Sequence, residues 1–330
     1  MTTELQIRNF KSIKTLSVSC KKLNVFIGEP NSGKSNIIEA LALQSQNVIG
    51  QYLNKDIFRY KTIGDLFYDF DINAPIEVFT KMKTSLSYAI RENKAPENQF
   101  NFYLDKADAD EEPIKFQHNG TVQSQVTFGK LLTTDVHYYE YKRLTAFQYG
   151  YQPHLLVPFG ENLPGLLLAN NDYKQWVSDF LKEKNLNLTL RPTENDINVS
   201  KFINGTIYSY PYFSISETLQ RIIFYSIAIK SNLNSILLFD EPETNTFPFY
   251  TKFLAERIAL DETNQFFLTT HNPYLLISLI EKTKFKDLNV CIVRMKDFQT
   301  LVHPLNEEQI SKVLDFNSDV FFNFNQILSE

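Results

Sequence analysis

The feature that most constrains this chain is an eight-residue loop containing two glycines, a lysine and a serine. Residues 28–35 read GEPNSGKS and match the pattern G-x-x-x-x-G-K-[ST]. In such a loop, small residues let backbone N–H groups surround phosphates, the lysine reaches the outer phosphates, and the hydroxyl binds magnesium. An apolar strand pattern at 23–27 precedes the loop and a helical pattern at 35–43 follows it. The order strand, loop, helix predicts an α/β fold that binds a nucleotide.

Glycine usage strengthens this prediction. The chain has 10 glycines in 330 residues, and none follows Gly205. The usual share of glycine is roughly 7%. A chain with so few glycines is expected to use them where the backbone approaches another group closely, as a phosphate loop requires.

Composition excludes several classes of protein. With 330 residues and 43% hydrophobic content, the chain can bury the core of one large domain. Its two cysteines, Cys20 and Cys291, predict no disulfide framework, and we expect a cytoplasmic location. The N-terminus has no signal-peptide pattern, and no apolar run is long enough to span a membrane. The net charge of −5 argues against a uniformly basic surface but not against a local basic patch.

Hydrophobic periodicity gives a coarse map of the chain. Strands are predicted at 5–10, 15–20, 65–80, 136–139, 235–239, 265–270 and 288–293, helices at 173–184, 214–230 and 248–259, and turns at 95–98 and 107–113. Alternation of strands and helices in the last third predicts a mostly parallel sheet flanked by helices. We expect one domain over 1–330, with an antiparallel N-terminal part and a small inserted α/β lobe at about 81–210.

Two strand ends after the loop carry chemically useful residues. Asp240 and Glu241 follow the apolar run at 235–239, where an acid can hold magnesium and a second acid can orient or deprotonate water. His271 ends the next buried run and could hydrogen-bond a γ-phosphate, although a lone histidine is more often a core or cap residue. Its position one strand after the acid pair favours the functional interpretation.

The helix predicted at 214–230 has two compatible interpretations. Ser214 and Glu217 have the spacing of a capping box, S-x-x-E, ahead of a core-facing apolar stripe. The same serine-bearing helix start offers free N–H groups and a positive dipole end to an anion.

The order of these motifs resembles the ABC-type ATPases. The opening IRNFKS at 7–12, the phrase FDEPE at 239–243 and the phrase THNP at 270–273 are similar to the RecF/SMC/OLD branch. Residues 158–163, PFGENL, resemble a phrase of small AAA-family proteins in that branch. The resemblance implies a P-loop NTPase fold of ABC-ATPase type over nearly the whole chain, weakest at about 81–135.

The resemblance also implies roles for individual residues. ATP would be bound by Gly28, Asn31, Ser32, Gly33, Lys34, Ser35 and Asn36, with Arg8, Asn9, Lys11 and Ser12 nearby. Ser35 and Asp240 would bind Mg²⁺, Glu241 would be the catalytic base, and His271 would sense the γ-phosphate. Ser216, Glu217 and Asn245 would lie at the interface of a head-to-tail homodimer that encloses two ATP molecules.

This chain departs from the resemblance in three places. Thr218 stands where the signature of these ATPases usually has glycine, so we expect slow or altered hydrolysis. No glutamine can be assigned as the usual nucleotide reporter. An OLD-type protein would continue into a TOPRIM nuclease domain, and the 330 residues leave no room for one.

Two functions follow from these observations. In the first, ATP closes a dimer that regulates a separately encoded effector, such as a nuclease or toxin of an anti-phage module. In the second, the chain is a RecF-like DNA-binding ATPase, with phosphate contacts from Lys282, Lys284, Lys286, Arg294 and Lys296. Glu281 and Asp287 interrupt that basic stretch, which favours an ordinary solvated face. A transporter subunit or a nucleotide kinase fits the motifs less well.

Overall fold

The computed structural model describes residues 1–45, 49–81, 85–93, 99–103, 113–123, 135–150 and 152–328, with backbone only for 85–89 and 91–93. The strands are β1 Glu4–Phe10, β2 Ile13–Ser19, β3 Leu23–Gly28, β4 Ile76–Lys81, β5 Ser85–Asn93, β6 Gln99–Tyr103, β7 Ile114–Gln117, β8 Val136–Tyr139, β9 Asn187–Arg191, β10 Asp196–Ile203, β11 Thr206–Pro211, β12 Ile236–Phe239, β13 Gln265–Thr269, β14 Leu288–Lys296 and β15 Gln299–Pro304. The helices are α1 Lys34–Ala42, α2 Leu163–Ala169, α3 Asn171–Lys182, α4 Glu217–Ser231, α5 Pro248–Ala259, α6 Pro273–Lys282, α7 Glu307–Phe316 and α8 Phe324–Leu328.

A six-stranded sheet forms the centre of the molecule, in the order β15-β14-β3-β13-β12-β8. Neighbouring strands from β14 to β8 are parallel, and β15 pairs with β14 in the antiparallel sense. Every residue of β3 and β12 is buried, as expected for parallel strands covered on both faces. The predicted α/β fold with a mostly parallel sheet is therefore confirmed.

The two faces of this sheet belong to two separate hydrophobic clusters. Along β12, Leu237 and Phe239 pack into one cluster with α4, α5 and α6, while Ile236 and Leu238 pack into the other with α1 and β1. This alternation follows from the two-residue repeat of a strand, which sends successive side chains to opposite faces.

A second sheet is antiparallel throughout, in the order β2-β1-β4-β5-β6-β7. It supplies the antiparallel part predicted near the N-terminus. A third sheet, β11-β10-β9, precedes α4. The described part of the lobe predicted at about 81–210 contains strands of all three sheets, and the lobe boundaries remain a prediction.

The structure corrects one strand and leaves two turns untested. The strand predicted at 65–80 begins only at Ile76, after two short 3₁₀ turns at Ile63–Leu66 and Tyr68–Phe70. The side chain of Asp65 accepts hydrogen bonds from the N–H groups of Lys61 and Thr62, which stabilises the first turn. The turn predicted at 95–98 and nearly all of that predicted at 107–113 lie outside the described residues.

Candidate nucleotide site

The loop at residues 28–35 joins β3 to α1, and its glycines are required by close contacts. Gly33 has φ of +97°, and a Cβ there would lie 1.9 Å from Oγ1 of Thr300 on β15. A Cβ at Gly28 would lie 2.1 Å from the carbonyl oxygen of Val293 on β14. Asn31 also has positive φ, +60°. Positions 28 and 33 therefore require glycine, because any Cβ there would collide with β14 or β15.

Lys34 is buried within this loop. Its Nζ donates hydrogen bonds to the carbonyl oxygens of Gly28, at 3.1 Å, and Glu29, at 2.8 Å. Burial lowers the pKa of Lys34, and the nearby carboxylates of Glu241 and Asp240 partly oppose this effect. The ammonium group is thus held between the loop and the acids that follow β12.

Ser35 and Asp240 meet at the carboxyl end of β12. Oγ of Ser35 donates a hydrogen bond to Oδ1 of Asp240 at 3.2 Å, and the hydroxyl of Thr269 donates to the same oxygen. Burial raises the pKa of Asp240, although these two hydroxyls oppose the rise. A hydroxyl and a carboxylate with incomplete charge compensation fit Mg²⁺, which prefers oxygen ligands.

Glu241 and His271 come from the ends of neighbouring parallel strands, β12 and β13. Nε2 of His271 lies 2.9 Å from Oε1 of Glu241, and both side chains are partly exposed. This hydrogen bond is the largest influence lowering the pKa of Glu241. Glu241 also has φ of +45°, a left-handed conformation that is uncommon for a non-glycine residue.

Glu243 holds the backbone at His271 through hydrogen bonds, a role that was not predicted from the sequence. Its Oε1 accepts hydrogen bonds from the hydroxyl of Thr270 and from the N–H of His271, the latter at 3.3 Å. Burial raises the pKa of Glu243 to about 7. The third acid of the phrase FDEPE therefore fixes the strand end that carries the histidine.

Glu140 is a second residue that the sequence analysis missed. Tyr139 of β8 is paired with Phe239 of β12, so Glu140 and Asp240 follow the two strands side by side. Tyr138 donates a hydrogen bond from its hydroxyl to Oε2 of Glu140 at 3.0 Å, and burial raises the pKa of Glu140. Its position directly after a buried run was the available signal, as it was for Asp240.

The N-terminal residues implied by the resemblance divide into two groups. Oγ of Ser12 accepts a hydrogen bond from Nδ2 of Asn36 at 2.7 Å and lies 2.6 Å from Oγ1 of Thr300, so Ser12 contacts the loop directly. Lys11 pairs with Glu39 of α1. Arg8 pairs instead with Glu77 of β4 at 3.4 Å, and Nδ2 of Asn9 donates to the carbonyl oxygens of Asp71 and Ala74. Contact of these residues with nucleotide remains a prediction.

The start of α4 differs from the capping box predicted for Ser214 and Glu217. The helix begins at Glu217, its cap is Ser216, and no side chain accepts a hydrogen bond at the cap. Ser214 donates its hydroxyl to the carbonyl oxygen of Pro211, while the Glu217 carboxylate accepts from Arg221 at 2.9 Å. The helix therefore begins two residues later than the capping box requires, and neither Ser214 nor Glu217 caps it.

Ser216 is exposed, and so is Asn245. Oγ1 of Thr218 donates a hydrogen bond to the carbonyl oxygen of Asn245 at 3.3 Å. The two segments implied at a dimer interface therefore contact each other within one chain.

The predicted basic stretch is only partly available for phosphate contacts. Lys282 forms an ion pair with Glu256 at 3.1 Å, and Arg294 donates a hydrogen bond to Asn325 at 2.9 Å. Within the described residues, no helix combines the length and apolar character needed to cross a bilayer.

Comparison with known structures identifies the fold. At 15% sequence identity, the chain is similar to an SMC head bound to the C-terminal winged-helix domain of ScpA, with a TM-score of 0.59 over 94% of this chain and 99% of that one. An SMC head with an extended coiled coil, bound to the C-terminal domain of ScpA derived from Pyrococcus furiosus, gives a TM-score of 0.54 at 15% identity over 95% and 98% of the two chains. The fold is that of an SMC-type ABC ATPase head.

No curated protein sequence matches this chain. One family model matches residues 23–278, a span that includes the phosphate loop, the acid pair and His271. That span exceeds half of the chain, so this protein belongs to the family described as "AAA domain, putative AbiEii toxin, Type IV TA system".

Proposed function

We propose that this chain hydrolyses ATP at the site formed by Lys34, Ser35, Asp240, Glu241 and His271. The contact between Glu241 and His271 carries the proposal, because it keeps a carboxylate with a lowered pKa at the strand end facing the loop. Glu241 would accept a proton from water attacking the γ-phosphate, and Lys34 would neutralise charge on the phosphate oxygens. Mg²⁺ held by Ser35 and Asp240 would supply further positive charge to the phosphates.

The active form in this proposal is a head-to-tail homodimer. Ser216 and Asn245 are exposed and lie in contacting segments, and Phe247 and Phe249 beside Asn245 are 66% and 63% exposed. Exposed aromatic side chains of this kind are enriched where proteins associate. They support an interface in which Ser216 and Glu217 of one chain face the ATP held by the other.

We further propose that the dimer is a switch for a separately encoded effector. The description of the family refers to a toxin and a toxin–antitoxin system, which favours a nuclease or toxin of an anti-phage module as the effector. One similar structure is an SMC head bound to a domain of ScpA, so a head of this fold can hold a second protein. Thr218 at the signature would slow hydrolysis and prolong the closed state.

The test uses Glu241→Gln, which retains the shape of the side chain but removes the base. With Mg-ATP this variant is expected to form a dimer at micromolar concentration and to co-purify with the product of a neighbouring gene. Phe247→Ser should weaken the dimer, while Phe298→Ser, at an 86% exposed phenylalanine on the β14–β15 turn, should not. A monomer in the presence of Mg-ATP, with no co-purifying protein, would sink the proposal.

A further inference from the structure

A pocket of about 290 Å³ lies between the C-terminal halves of α4 and α5. Its walls include Ser226, Ile229 and Lys230 from α4 and Phe253, Arg257 and Leu260 from α5 and its end. None of these residues belongs to the nucleotide site described above. The volume is close to the lower limit of pockets that hold small organic ligands.

Two cations, Lys230 and Arg257, line this pocket. Nζ of Lys230 lies 6.0 Å from the ring centre of Trp176, and the guanidinium carbon of Arg257 lies 5.4 Å from the same ring. Neither forms an ion pair with a carboxylate in the part of the chain that the structure describes. Burial lowers the pKa of both groups, and the charges of Asp172 near Lys230 and of Glu256 near Arg257 oppose this effect only in part.

The acids in the walls are already engaged. Glu256 pairs with Lys282 at 3.1 Å. The carboxylate of Asp261 accepts hydrogen bonds from the N–H groups of Thr263 and Asn264, at 3.0 and 2.6 Å. The walls thus hold two cations and two carboxylates, and among the described residues the carboxylates have ion-pair or hydrogen-bond partners while the cations have no ion pair. The negative C-terminal ends of α4 and α5 explain why the fold tolerates these two cations.

Ser226 provides an independent observation. The residue is completely buried, and its Oγ has no hydrogen-bond partner among the residues that the structure describes. Buried polar groups are nearly always paired, so this hydroxyl is a donor available to an acceptor in the pocket. A ligand oxygen would satisfy this donor together with Lys230 and Arg257.

We propose that this pocket binds a small organic oxoanion, a phosphate monoester or a carboxylate with an apolar body. The anionic group would contact Lys230, Arg257 and Ser226, which match the charge-assisted donors that such groups accept. The apolar body would lie against Ile229, Phe253 and Leu260. This site is separate from the site proposed for ATP hydrolysis. It lies on α4 and α5, the two helices whose N-terminal ends adjoin the segments proposed at the dimer interface.

The experiment measures binding of phenyl phosphate and of benzoate to the full chain by calorimetry. At least one probe is expected to bind, and the tighter of the two identifies the preferred anion. Lys230→Gln and Arg257→Gln should each weaken binding about tenfold or more. Lys252→Gln, an exposed lysine on α5, is the matched control for charge and should bind as the unaltered protein does.

Two further variants distinguish probe binding in this pocket from probe binding at the phosphate loop and from loss of folding. Lys34→Ala should retain probe binding, whereas loss of binding in Lys34→Ala with retention in Arg257→Gln would assign the probe to the phosphate loop and overturn the proposal. Ser226→Ala should weaken binding without lowering the melting temperature, because it removes an unpaired buried group. If Arg257→Gln does not fold, Lys230→Gln and Ser226→Ala decide the question. Binding unchanged in both, or no binding of either probe at millimolar concentration, would overturn the proposal.

Discussion

Nε2 of His271 lies 2.9 Å from Oε1 of Glu241, and this contact joins the ends of two adjacent parallel strands. The pairing of the two strands positions the backbone before each residue. The carboxylate of Glu243 also accepts a hydrogen bond from the backbone N–H of His271. The ring of Phe321, near the C-terminal end of the chain, lies 6.3 Å from the ring of His271. The base and the histidine therefore form one unit that is held from several sides.

The first prediction concerns this unit. His271→Ala should raise the pKa of Glu241, because the hydrogen bond from His271 is the main influence that lowers it. The acid limb of the pH–rate profile should then move to higher pH, and turnover should fall about 100-fold, the lower end for one acid–base group. Phosphate release measured between pH 5 and 9 tests this. His271→Gln, which retains a donor, should recover part of the rate; an unshifted acid limb in His271→Ala would contradict the assignment.

Lys34→Ala should abolish ATP binding and turnover. The ammonium group is buried beside the loop and the acid pair, and a charge-assisted contact to phosphate cannot be replaced by water there. Binding of a fluorescent ATP analogue measures the loss, with Lys14→Ala as control because Lys14 is exposed on β2. Turnover retained in Lys34→Ala would place the active site elsewhere.

Removal of Mg²⁺ by EDTA should stop turnover, and Asp240→Asn should have the same effect. The ligand-free stability of Asp240→Asn should nevertheless equal or exceed that of the unaltered protein at pH 7. Burial raises the pKa of Asp240, so its charge is costly when no cation is present. Urea unfolding without nucleotide provides the measurement. A lower midpoint in the variant would show that the charge is already compensated within the fold.

Glu243 should make stability depend on pH. Its pKa is about 7 in the folded protein against an ordinary value of 4.5, so the folded state holds the proton more tightly. The resulting stabilisation is complete below pH 4.5 and is lost as pH rises through 7, amounting to about 3 kcal/mol. Relative to Glu243→Gln, the unaltered protein should lose stability between pH 5 and 8 in urea unfolding. Glu262→Gln, at an exposed glutamate, should show no such trend.

Thr218→Gly should increase turnover several-fold if this residue obstructs the approach of the second subunit. Thr218→Ala is the control, because it removes the hydroxyl bonded to Asn245 but keeps the Cβ. Glycine in the first turn of α4 costs up to about 1 kcal/mol of stability, which thermal unfolding would detect. Phosphate release as a function of protein concentration distinguishes an effect on dimer turnover from an effect within one chain. Equal rates in the two variants would mean that the Cβ is not the obstacle.

The core of the fold could be predicted because its sequence signals are local. Buried runs such as 235–239 and 265–270 are compact and apolar, and the residues after them fall at one edge of the sheet. The loop motif then fixed the order of strand and helix around it. Asp240, Glu241 and His271 were predicted for the same reason, since each lies within two residues of the end of a buried strand.

Other parts depend on contacts that a single sequence does not reveal. The strand predicted at 65–80 was shortened by turns that Asp65 stabilises through its side chain. The β10–β11 hairpin was missed although Asn204 and Gly205, both at positive φ, form a dipeptide typical of such turns. The cap predicted at Ser214 is absent because Tyr212–Ser214 forms a 3₁₀ turn and α4 begins only at Glu217. Short turns thus displaced the predicted strand and the predicted cap, whereas the hairpin has a local signal in the sequence.

The position of Thr300 has a consequence for how the protein is made. Its Oγ1 donates a hydrogen bond to the carbonyl oxygen of Ser32, and β14 covers the edge of β3 beside Gly28. The groups that brace residues 28–35 are synthesised almost 270 residues after the loop itself. A nascent chain therefore holds this loop without the hydrogen bond from Thr300 and without the cover of β14 until both strands of the β14–β15 pair have been made.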